Sequence, residues 1–126
     1  MNKKICIIED DQDLLEAISI SLQEYGFEVF GGTKSSHVQK QLDGSDGSMV
    51  DLFILDLFLS GENGKDISLK IKSNPHTQHI PVIIMSATPE LPKYSQQAQA
   101  NAYISKPFNI EDLSEKITTI LTSNPN

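Results

Sequence analysis

Four apolar runs of this chain each lead into residues able to handle charge. "ICII", Ile5 to Ile8, stops at Glu9, Asp10 and Asp11; "LFIL" stops at Asp56; "VIIM" stops at Ser86; "NAYIS" runs into Lys106 and Pro107. Singly, each has a plain structural explanation as a helix cap, a turn residue, a surface hydroxyl or a rim lysine. Brought to one place, they have a chemistry. Glu9, Asp10 and Asp56 would repel one another and raise each other's pKa unless a cation neutralised them, and an oxygen-only set suits Mg²⁺ or Mn²⁺. Across from them, Lys106 as a compact positive charge and Ser86 as a hydroxyl could hold two further oxygens of a phosphoryl group. One carboxylate would then be the nucleophile that accepts phosphorus. Asp56, reached by the central run, is the candidate.

Such a meeting requires the runs to be strands that end on one edge. Ile5 to Ile8 is short and continuously apolar, as in a strand buried on both faces. Leu14, Leu15, Ile18 and Leu22 then keep helical spacing, with Asp11 as N-cap and Gly26 as the stop after Tyr25. "FEVFGG" is a second strand. A helix is expected over Thr33 to Leu42, with Ser35 and Ser36 as possible caps and Val38 and Leu42 as its main anchors. "DGSDGS", Asp43 to Ser48, has the composition of a loop. The third strand, Val50 to Leu55, delivers Asp56. Gly61 and Gly64 mark a turn, Ile67, Leu69 and Ile71 give a modest helix stripe, and "SNPHTQHIP" leads to a fourth strand at Pro81 to Met85. Lys93 to Gln99 forms a short helix only after Pro92. "NAYIS" is the fifth strand, and Asn109 caps a last helix carrying Ile110, Leu113, Ile117, Ile120 and Leu121. Strand and helix alternate five times, the pattern of an α/β, doubly wound five-stranded parallel sheet, whose ligands bind beyond the C-terminal strand ends.

Composition agrees with one such domain over residues 1–126. A chain of 126 residues that is 38% hydrophobic buries roughly two thirds of its unfolded surface, enough for one core without disulfides or a structural metal. The formal charge of −7, from 17 acidic against 10 basic residues, disfavours direct nucleic-acid binding and suits partners or cations that bring positive charge. Cys6 sits within an apolar run and reads as a small core residue. No run approaches the roughly 20 apolar residues of a membrane span and the start lacks a secretory h-region, so a cytoplasmic protein is expected.

With these residues in order, the chain resembles the receiver domain of two-component response regulators over about residues 3 to 121. "IIEDD" matches the family's first strand and acidic pair, "ILDLFLSGENG" its phospho-acceptor segment, "PVIIMSA" its fourth strand with a switch hydroxyl, and "YISKPF" its switch aromatic and lysine. The resemblance implies a flavodoxin-like (CheY-like) three-layer sandwich. It implies Asp56 as acceptor, Lys106 and Ser86 as catalytic partners, and Mg²⁺ or Mn²⁺ held by Glu9, Asp10, Asp56 and the backbone carbonyl of Phe58. It also implies that a histidine kinase or histidine phosphotransfer protein donates the phosphoryl group. Ser86 and Tyr103 would then move together to change a surface read by a downstream protein, and the chain would catalyse its own phosphorylation and dephosphorylation without being a turnover enzyme.

Three departures stand out. Ser60 occupies the place where the family usually has proline. Only 19 residues separate Ser86 from Lys106, with Pro89 and Pro92 among them, and Gln99 stands where a glycine is often found four residues before the switch aromatic. A shortened or irregular fourth helix follows. The alternative to a phospho-acceptor is a module of the same fold that binds proteins without being phosphorylated. His37, His76 and His79 lack the company and spacing of a zinc site, and "GENGK" is too short for a nucleotide-binding phosphate loop.

Overall fold

The continuous apolar runs become the strands of one parallel sheet. The computed structural model describes residues 2–45 and 50–123. The chain runs β1 (Lys4–Ile8), α1 (Gln12–Glu24), β2 (Glu28–Gly32), a 3-10 turn (Ser35–Val38) leading into α2 (Gln39–Asp43), and β3 (Leu52–Asp56). A small antiparallel hairpin of β4 (Phe58–Leu59) and β5 (Glu62–Asn63) follows, then α3 (Gly64–Ser73), β6 (Val82–Ser86), α4 (Leu91–Gln97), β7 (Ala102–Ser105) and α5 (Ile110–Ser123). The main sheet has the order β2-β1-β3-β6-β7, all parallel.

Alternation along the strands divides the core into two layers. Cys6, Ile8, Phe53, Leu55, Val82 and Ile84 pack with Val38, Ile67, Ile71 and Leu91 on the side of the 3-10 turn, α3 and α4. Ile5, Ile7, Leu52, Ile54, Ile83 and Met85 face Leu15, Ile18 and Leu22 of α1 and Leu113 and Ile117 of α5. The result is the three-layer sandwich expected. Each aliphatic side chain so buried contributes about 1.5–3 kcal/mol. Burial of Glu9 and Asp56 at the ends of the same strands works against that gain, so those two carboxylates need another reason to be there.

Local chemistry sets several boundaries as expected. The Asp11 carboxylate accepts from the amides of Asp13 and Leu14 at 3.1 and 3.2 Å, opening α1, and Asn109 Oδ1 accepts from the Asp112 amide at 2.8 Å, opening α5. Other boundaries differ. The helix expected over Thr33 to Leu42 is divided into the 3-10 turn and a five-residue α2, neither with a side-chain cap. Ser35 instead gives its amide and hydroxyl to the Glu62 carboxylate, both at 2.6 Å. The third strand starts at Leu52 rather than Val50. In α3, Ile67, Ser68 and Ile71 are buried while Leu69, two residues from both isoleucines and so turned to the other face, lies only partly covered; the Ser68 hydroxyl turns inward to the Ala98 carbonyl at 2.8 Å. The loop expected at Asp43 to Ser48 falls in part outside the described residues.

The fourth helix is short, seven residues, but it begins at Leu91 and takes Pro92 into its first turn. A proline there removes an amide that has no partner within the helix, so it starts the helix rather than preceding it. Beyond α4, Gln99 has φ +57° and is exposed. A left-handed backbone at a residue with a Cβ is strained, and glycine relieves that strain. The Gln99→Gly variant is therefore expected to gain about 0.5–1 kcal/mol in urea unfolding, since an exposed side chain forfeits little packing. An unchanged or lowered midpoint would show that the strain there is no larger than the entropy glycine adds to the unfolded chain.

Candidate functional site

β3 is the middle strand of the sheet, and the order of connection reverses between it and β1, which opens a crevice beyond their C-terminal ends. Glu9 and Asp10 follow β1, and Asp56 ends β3. One oxygen of each can be chosen so that all lie within 4.8 Å of one another, the one such acidic cluster among the described residues. The histidines belong to no cluster of this kind there. Lys106, after β7, reaches in from the other side: its Nζ donates to Glu9 Oε1 at 2.5 Å and to Asp56 Oδ2 at 3.1 Å.

The three carboxylates are not equivalent. Glu9 is 0% exposed, Asp56 is 6% exposed, and Asp10 lies at the surface. Glu9 also accepts from the Asp11 amide at 3.1 Å. Asp10 Oδ2 accepts from the Ser60 hydroxyl at 3.1 Å. Burial, followed by the hydrogen bond to Asp56, pushes the Glu9 carboxyl up to about 7, against the opposing pull of Lys106. Burial also disfavours the Lys106 cation, yet its hydrogen bond to Glu9 and the Asp56 charge outweigh that and hold its pKa above the ordinary lysine value.

That imbalance has a consequence for stability. Folded Glu9 keeps its proton up to about pH 7, whereas an unperturbed carboxyl releases it near 4.5. Over that window the folded state binds a proton that the unfolded chain has lost. The resulting stability is fully present below the lower value and disappears as pH rises through the upper one. In metal-free solution the unfolding free energy from urea titrations is expected to fall between about pH 5 and pH 8 through this group, by at most about 3 kcal/mol. The Glu9→Gln variant, with nothing to titrate, should lose that part of the slope. An equal slope in both proteins would place the titrating group elsewhere.

A divalent cation fits this donor set. Two oxygens on one Mg²⁺ lie at most about 4.2 Å apart, so a cluster whose oxygens lie within 4.8 Å of one another needs only a small inward shift to hold one. The close backbone beneath supports the arrangement. A Cβ on Gly64 would run into the Asp56 carbonyl, and the Gly64 amide donates to the Leu57 carbonyl at 2.8 Å. Gly64, read from the sequence as a turn residue, is thus required where the chain returns against the end of β3.

The other expected residues take different places. Ser86 ends β6, is buried, and its Oγ accepts from the Thr88 amide at 3.2 Å; this leaves its own proton available to donate. Ser86 lies in register with Ser105, and the Lys106 amide donates to its carbonyl at 2.9 Å. Tyr103 on edge strand β7 is 39% exposed, with Lys116 Nζ 6.0 Å from its ring centre. The Phe58 side chain is 54% exposed and meets Tyr94 of α4 edge-on, with ring centres 6.0 Å apart and planes at 79°. Two grooves open elsewhere, about 440 Å³ beside α2 and α3 and about 620 Å³ beside Tyr103 and α5. Neither contains Glu9, Asp10 or Asp56, and ion-sized chemistry is marked by charge density rather than by volume.

Comparison with known proteins points the same way. The family described as the response regulator receiver domain matches residues 5–118. The response regulator ArlR of Staphylococcus aureus is 33% identical over 132 residues, covering 97% of this chain and 54% of that protein. The DNA-binding dual master transcriptional regulator RpaA of Synechocystis is 27% identical, covering 94% of this chain and 48% of that protein. The chain therefore spans about half the length of these curated relatives. Among solved structures, a CheY-like response regulator receiver domain protein of Methanospirillum hungatei is 25% identical with a TM-score of 0.87, covering 99% of this chain and 98% of that one. A receiver domain protein of Clostridium thermocellum is 26% identical with a TM-score of 0.85, covering 98% and 97%. Among the described residues, no helix is long and apolar enough to cross a membrane.

Proposed function

The chain belongs to the response regulator receiver domain family, and from that premise we propose that Asp56 accepts a phosphoryl group from a phosphohistidine and that the whole chain, residues 1–126, works as one receiver domain. The observation that carries this reading is Lys106 Nζ bonded to both Glu9 and Asp56, which an exposed Asp10 joins in one acidic cluster. Three acidic groups and one lysine leave net negative charge in the crevice, which suits a divalent cation better than a bare phosphate.

A carboxylate oxygen of Asp56 attacks phosphorus in line. The bond from phosphorus to the histidine nitrogen breaks, and its electron pair leaves on the imidazole. Lys106, already 3.1 Å from Asp56 Oδ2, stands where a phosphoryl oxygen on that side chain would arrive and can move to it from the carboxylate. Ser86, whose proton is uncommitted to the Thr88 amide, donates to a second oxygen. Glu9, Asp10, Asp56 and the Phe58 carbonyl would hold Mg²⁺ or Mn²⁺, which when bound would neutralise the charge that two anionic groups bring together.

The donor is a histidine kinase or a histidine phosphotransfer protein, and the setting is the cytoplasm. Once Ser86 engages the phosphoryl group, Tyr103 follows it inward and changes the face made by α4, β7 and α5, which a downstream protein reads. The exposed ring of Tyr103 beside Lys116 supports this as the starting position of the switch. The chain is thus both catalyst and substrate of its own modification, not a turnover enzyme. Incubation with acetyl phosphate and Mg²⁺ should add one phosphate to the intact mass, and chelation of the metal should prevent it. A folded protein that stays unmodified with Mg²⁺ present would favour a phosphate-independent binding module.

A further inference from the structure

We infer that Ser60 is a positioning residue for the cation, holding Asp10 so that one of its carboxylate oxygens is presented to the ion. Ser60 lies at the tip of the β4–β5 hairpin, and its hydroxyl donates to Asp10 Oδ2 at 3.1 Å across 50 residues of sequence. Asp10 is exposed. An exposed aspartate otherwise samples several rotamers, and each ligand that must be frozen when the ion binds weakens the binding. A donor on Oδ2 freezes it beforehand and leaves the second oxygen for the cation.

The hairpin is built to keep that hydroxyl in place. Gly61, with φ +78°, allows a two-residue turn, and Leu59 pairs with Glu62 across it. Glu62 is fastened in turn by the amide and hydroxyl of Ser35, both at 2.6 Å. Leu59 is buried in the core on the same side of the sheet. Ser60 is therefore held from both flanks, so its hydroxyl can fix the exposed Asp10 carboxylate. A proline at this position, usual for the family, could not make the contact.

The inference rests on the cation site proposed above, so the two must be tested separately. Mg²⁺ titrations followed by backbone amide shifts read binding without any phosphorylation. In the unaltered protein, shifts should concentrate near Glu9, Asp10, Asp56 and Phe58; their absence would overturn the site itself. Given that site, Ser60→Ala should weaken Mg²⁺ about threefold, as expected for releasing one restrained side chain. Ser60→Thr, which keeps the hydroxyl, should restore the affinity. In an Asp10→Asn background, Ser60→Ala should change affinity little, because the two residues act through one contact. The unfolding midpoint without metal should be the same in all Ser60 variants. Equal Mg²⁺ affinity in Ser60→Ala would show that the contact is incidental. Tighter binding would show that the hydroxyl competes with the cation, and either result overturns the positioning role.

Discussion

A chain carrying Asp56→Ala is expected to take up no phosphate from a small donor, while remaining folded. The three carboxylates differ in what an acceptor needs. Glu9 touches Lys106 but is 0% exposed, and burial raises its pKa to about 7, so near neutrality much of it is protonated and a poor nucleophile. Asp10 is accessible, but its carboxylate is engaged by Ser60 rather than by Lys106. Asp56 combines contact with the lysine and a side chain that keeps some exposure, 8% against 1% for Glu9. Loss of Asp56 also removes a group that, after burial itself, helps to raise Glu9. Metal-free stability should therefore be unchanged or higher, which separates lost chemistry from lost fold. Circular dichroism and urea unfolding provide that control. Phosphate on a folded Asp56→Ala chain would move the acceptor elsewhere.

Lys106→Ala should slow phosphorylation by about 10²–10³-fold, the usual loss when one preorganised group stabilising a developing charge is removed. Its structural effect is also distinctive. Without the cation, Glu9 and Asp56 remain together in the crevice. The cost in metal-free solution is about 2 kcal/mol, below the ~3–5 kcal/mol of a fully buried broken pair, because Glu9 can take up a proton instead. Mg²⁺ should return part of this stability, since it replaces the missing charge, and should return little of the rate. Phosphorylation within threefold of the unaltered protein would remove Lys106 from the mechanism proposed here.

Much of the architecture is legible because it is written in short-range patterns. Continuous apolar runs such as Ile5 to Ile8 suit strands covered on both faces, and their polar ends fall on one edge once the strands are parallel. Asp11 and Asn109 announce helix starts through bonds to amides two and three residues away. The shortness of α4 follows from too few residues between Ser86 and Lys106. What escapes such reading depends on residues distant in the chain. Ser35 resembles a helix cap, but Glu62 claims it from 27 residues away. Gly64 resembles a turn glycine, whereas the Asp56 carbonyl leaves no room for a side chain. The four residues of β4 and β5 are too few to form an alternating pattern, so "FLSGEN" reads only as a turn. Ser60 meets Asp10 through that hairpin alone, and no spacing in the sequence could have signalled the contact.

The central claim concerns a covalent bond, and the most direct measurement converts it into a permanent mark. Treatment with acetyl phosphate and Mg²⁺, followed by borohydride, reduces an acyl phosphate to an alcohol and turns the acceptor aspartate into homoserine, which peptide mass spectrometry locates. Homoserine at position 56, absent when the metal is chelated, is the expected result. Reduction at Glu9 or Asp10, or phosphate that survives borohydride on a serine or histidine, would contradict the account.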